Sequence, residues 1–147
     1  MPQPVWHEVI QRGNAHFAAG RYADALAAFD RALVMVDRLL AGCRIDVALL
    51  VSKIVTQRNR AETLVRLRRY ADADEAFRQG HGFAQAIVEE EAFAENVRHA
   101  ARCHCRMMFS EWRVFRCEHG HHLDDRHEPF FSASFAHSGT LATATVH

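Results

Sequence analysis

Arg21–Phe29 reads RYADALAAF, and Arg69–Phe77 reads RYADADEAF. Seven of the nine positions are identical at an offset of 48 residues, a recurrence that chance seldom produces and that marks an internal structural repeat. In each copy an aspartate, Asp24 or Asp72, falls in the first turn of a helical pattern, where the positive end of the helix dipole favours a carboxylate. Repeats of this kind usually present a surface for recognition.

Outward from the repeat, apolar residues recur at helical spacing. Val9, Ile10, Gly13 and Phe17 predict a helix over 6–18, entered by Pro2 and Pro4 and stopped by Gly20. Ala25, Leu26, Phe29, Leu33, Val36 and Leu40 carry a second from Tyr22 to Gly42. A third is expected from Ile45 to about Leu67, and a fourth from Tyr70 to about Val88. Gly80 and Gly82 should weaken the fourth by about 1 kcal/mol each relative to alanine. A fifth is expected to begin near Glu89, Glu90 and Glu91, acids suited to a helix start, and to run to about Phe115. Helical periodicity ends after Gly120. The reading is therefore all-α: a helical domain over 1–116, followed over 117–147 by an irregular tail that contains Cys and His and three phenylalanines, Phe130, Phe131 and Phe135.

Bulk properties narrow the function. Eighteen basic and eighteen acidic residues balance, so no global field draws the chain to nucleic acid or to an anionic membrane. No apolar run is long enough to span a bilayer, and the opening MPQPVWHEVIQRGN lacks the charged and then apolar pattern of a secretory signal. The expected location is the cytoplasm, where Cys43, Cys103, Cys105 and Cys117 would be reduced thiols. Seventeen arginines stand against one lysine, which makes the basic side chains planar forks suited to carboxylates.

The first copy, extended backwards, reads GNAHFAAGRYADALAAFDRAL. Here Gly13, Asn14, Phe17, Gly20, Tyr22, Ala25, Phe29 and Ala32 fall at the spacing of the tetratricopeptide repeat family, which the segment resembles. In the second copy Ala61, Tyr70, Ala73 and Phe77 hold the equivalent places, while Arg68 replaces the turn glycine and Gly80 replaces Ala32. The family repeats every 34 residues or so, and an offset of 48 requires the second and third helices each to be longer by about two turns. A degenerate third copy from Arg102 would put Trp112 at the tyrosine position; a single closing helix is the alternative.

The resemblance implies a right-handed superhelix of antiparallel hairpins whose concave face, made by the first helix of each pair, holds a peptide or helix of a partner protein. By register that face would carry His7, Asn14 and Phe17, then Arg58, Glu62 and Arg66, then His104 and Met107. One subfamily grips a C-terminal carboxylate with two asparagines and several basic residues. Asn14 and Asn59 match the asparagine positions, whereas Ile10, Val97 and Ala101 stand where cations would, with Arg98 and Arg102 adjacent.

A second kind of chemistry is suggested by RCHCRMMFSEWRVFRCEHGHH, Arg102–His122. It has no zinc-knuckle spacing, but on a helix His99 with Cys103, and Cys117 with His121, lie one turn apart and could share a metal such as zinc. Arg102, Arg106 and Arg116 would favour a thiolate nearby. No phosphate loop, nucleophile elbow or metalloprotease motif is present, so no enzyme is expected. The arginines of the third and fifth helices could form a basic ridge, but interleaved acids favour local pairing, and an acidic peptide is a better candidate partner than nucleic acid. The expected function is that of a non-catalytic adaptor or chaperone, without a cofactor; the alternative is a metal-binding protein that uses Cys117 and His121.

Overall fold

The computed structural model describes residues 4–42 and 44–123. Pro2, Cys43 and the 124–147 stretch, with Phe130, Phe131 and Phe135, lie outside the described residues. Among those described, every regular element is helical: α1 (Pro4–Ala18), α2 (Tyr22–Gly42), α3 (Val47–Arg66), α4 (Tyr70–Glu89) and α5 (Glu95–His119), closed by a 3₁₀ turn, Gly120–His122. Consecutive helices pack on one another, and α3 also packs on α5, as in a run of helical hairpins. The all-α hairpin architecture expected from the repeat is what is observed.

The two copies make the same turn. After α1, the amide of Gly20 donates to the Phe17 carbonyl (3.0 Å) and that of Arg21 to the His16 carbonyl (2.9 Å), with Gly20 at φ 77°. After α3, the amide of Arg68 donates to Val65 (2.9 Å) and that of Arg69 to Leu64 (2.9 Å), with Arg68 at φ 59°. Both are Schellman closures, in which a left-handed residue lets its own amide and the next one satisfy carbonyls that the helix end leaves open. Arg68 adopts the conformation that the turn requires despite its Cβ.

Small residues set the helix spacing. A Cβ on Gly13 would sit 2.7 Å from the Phe29 ring, so α1 and α2 touch where the sequence placed a glycine opposite an aromatic. Ala25 and Ala73, at equivalent positions, are both fully buried. The principal core joins Leu50, Ile54 and Leu64 of α3 to Phe77 of α4 and to Met108, Trp112 and Phe115 of α5, with Leu26 contributing from α2.

Two sequence expectations are corrected, and one open alternative is decided. The acidic run Glu89–Glu91 does not start α5: Glu89 ends α4, and the following turn is held by the Phe93 amide on the Glu90 carbonyl (3.2 Å), with the half-buried Phe93 against the core. α5 instead begins at Glu95. It then runs unbroken through Trp112, which is buried in mid-helix, so the turn of a third hairpin is not made there and α5 is a single closing helix that continues past the 116/117 division. Finally, α3 begins at Val47, later than expected, because the Asp46 side chain accepts the Leu49 amide (2.8 Å) and caps the helix.

Candidate functional site

α1, α3 and α5, the first helices of successive pairs, share one face, and two adjoining clefts lie along it. The first, of about 350 Å³, is lined by Asn14 and Phe17 of α1, Phe29 of α2, and Arg58, Asn59 and Glu62 of α3. Four of the residues expected on the concave face, Asn14, Phe17, Arg58 and Glu62, therefore meet at one place. The Asn59 side-chain amide donates to Asn14 Oδ1 (3.3 Å), bridging the two helices. Arg66 lies at the same end, its guanidinium 5.6 Å from the Phe17 ring centre and 5.9 Å from that of Tyr22, while Tyr22 meets Phe17 edge-on.

The second cleft, of about 300 Å³, lies between α3 and α5. Glu62 lines both clefts and joins them; the remaining lining is Val65, Phe77, Ser110, Glu111, Val114, Phe115, Glu118 and His119. Arg58 crosses the boundary and pairs through Nε with Glu111 (2.9 Å), while its Nη1 approaches the Met107 sulfur (3.9 Å). Burial pushes the Glu111 carboxyl above its ordinary range, and Arg58 opposes the shift. The α5 residues of this cleft escaped the sequence reading, although Met107 was on the expected face. Extending its helical register by four, seven and eleven residues reaches Glu111, Val114 and Glu118.

His7 and His104 do not join these clefts. His7 is exposed and stacks on Trp6 (3.8 Å between ring centres), and His104 is half-buried on α5 outside both linings. The carboxylate-gripping arrangement is incomplete. The asparagine pair is assembled, but Val97 and Ala101 are buried; Arg98 donates to the Val88 carbonyl (3.0 and 3.2 Å), and Arg102 pairs with Glu95. Four arginines of the expected ridge are likewise paired, Arg58 with Glu111, Arg60 with Asp30, Arg66 with Glu62 and Arg69 with Asp72.

Cys117 and His121 are both exposed, Cys117 in the last turn of α5 and His121 in the 3₁₀ turn that follows. Among the described residues no group of three or more His, Cys, Asp or Glu converges as a metal site would require. His99 and Cys103 do approach each other, at 3.8 Å. His119 and His122 both stack on Tyr70, with ring centres 4.6 Å away in each case. At Cys105 the surroundings run against a thiolate: burial pushes the thiol up, Glu89 adds to this and Arg106 opposes it, while Arg116 is committed to Asp74.

These features define a helical-hairpin repeat protein with a grooved face. The tetratricopeptide repeat family profile matches residues 9–36, most of α1 and α2, and the run of five helices is consistent with repeats of that kind. No curated protein and no solved structure gives a significant match to the chain. No helix among the described residues is long and apolar enough to cross a membrane.

Proposed function

We propose that the chain is a non-catalytic protein–protein interaction module, an adaptor or chaperone of the cytoplasm, which holds a peptide or helix of a partner along the face of α1, α3 and α5. The observation that carries this reading is the cleft in which Asn14, Phe17, Arg58, Asn59 and Glu62 meet. It combines an apolar wall, side-chain amides able to bond a partner's backbone, and charges of both signs, the mixture that orients a bound segment. The family match supports it, since such repeats generally bind other proteins. An acidic partner, expected from Arg58 and Arg66, would have to compete with Glu111 and Glu62, which already pair with those arginines.

A photo-crosslinking side chain placed at Asn14 or Glu62 should capture a partner in cells. The same group at Ala23 or Arg38, exposed on α2, should not. Equal yields of the same adduct from both sets of positions would refute the concave-face reading.

A further inference from the structure

Exposed apolar side chains are unusual on this surface. Four large ones are exposed among the described residues, and two of them, Met107 (41%) and Val114 (54%), lie two turns apart on α5 beside the second cleft. Val114 forms its lip, and beneath are Val65, Phe77 and Phe115. An apolar lip over an apolar floor marks a surface that docking would cover.

The charge around that floor has one sign. Glu62, Glu111 and Glu118 line the cleft, and the lining contains no Lys or Arg among the described residues; His119 is its one basic member. The neighbouring cations compensate in part: Arg58 holds one side of Glu111 (2.9 Å), Arg66 reaches Glu62 only at 3.9 Å, and Glu118 is 3.7 Å from His119. Glu111 and Glu118 are seven residues apart on one helix face, about 10 Å along the axis. Val114 stands between them.

Building on the peptide-binding reading, we infer that the α3–α5 cleft binds a helical segment of a partner protein that carries two Lys or Arg side chains seven residues apart with an apolar side chain between them. The apolar group covers Val114 and enters above Phe77 and Phe115, while the cations meet Glu111 and Glu118. Glu62 closes the opposite wall. Such pairing fixes the register of the segment and rejects acidic ones, since an added carboxylate would face three others. The partner's cation would also supply Glu111 with the charge that its burial leaves undercompensated.

The test is selection of a phage-displayed random peptide library on the immobilised full chain, followed by fluorescence anisotropy of the enriched peptides in solution. Enriched peptides should carry Lys or Arg at seven-residue spacing about an apolar residue. They should bind the Glu62→Gln, Glu118→Gln double variant about tenfold or more weakly. Both positions are exposed, so circular dichroism should show that variant folded as the parent is. Cationic peptides that bind the double variant equally well would overturn the inference. Enrichment of acidic or neutral peptides that block crosslinking from Asn14 would overturn it while leaving the peptide-binding reading intact; failure of every selected peptide to bind this face would overturn both. Self-association of the full chain that the double variant abolishes would make the occupant a second copy, and would also overturn it.

Discussion

At position 74 the two copies part company. Leu26 in the first is buried against apolar neighbours, and its equivalent Asp74, only 1% exposed, accepts hydrogen bonds from Trp112 Nε1 (2.7 Å) and from Arg116 Nε and Nη2 (2.9 Å each). The fork geometry satisfies both carboxylate oxygens, which offsets the cost of removing two charges from water. Asp74→Asn should therefore cost about 3–5 kcal/mol in chemical denaturation, because Arg116 stays buried without its counter-charge. The double change Asp74→Leu, Arg116→Met, which gives the second copy the first copy's leucine, should recover only part of that loss, because Trp112 Nε1 is left without its acceptor. A cost below about 1 kcal/mol for Asp74→Asn would mean that Arg116 reaches solvent without penalty.

Turns and glycines act on whole elements. Since Arg68 holds the left-handed place that Gly20 fills in the first copy, Arg68→Gly should stabilise the α3–α4 turn by about 0.5–1 kcal/mol, and Gly20→Ala should destabilise the α1–α2 turn by a similar amount. Thermal melts of the two variants should shift in opposite directions; shifts of the same sign would contradict the equivalence of the turns. Within α4 the two glycines differ. A Cβ on Gly82 meets open space, so Gly82→Ala should gain about 0.5–1 kcal/mol from helix propensity. At Gly80 a Cβ would lie 2.5 Å from Met108 Cε and 3.2 Å from Gln57 Cβ, so Gly80→Ala should lose about 1–3 kcal/mol through overpacking of α3 and α5. Denaturant midpoints moving the same way for both would show that α4 does not rely on close contact at Gly80.

Across the molecule, stability is unevenly distributed. The principal core draws on α2 through α5 and not on α1, which is held chiefly by α2. In a stack bound by nearest-neighbour contacts, a wedge acts locally at an end and globally in the middle. Ala25→Phe should therefore raise amide hydrogen exchange mainly in α1 and α2, Ala73→Phe should raise it throughout α3–α5, and Ala23→Phe, at an exposed site, should leave the pattern unchanged. Equal responses at the three positions would refute the repeat register. That register was legible in the sequence, and with it came the hairpins and the meeting of Asn14, Phe17, Arg58 and Glu62, because periodicity, small-residue contacts and turn residues are local properties that a repeat states twice. Tertiary structure alone decided that α5 closes the stack as one helix, that Arg58 is paired with Glu111, that Asp74 is buried on Arg116 42 residues away, and that the second cleft is acidic. The physical reason is that helical period tells which way a side chain points, whereas its charge balance and burial depend on the distant residue that packs opposite it.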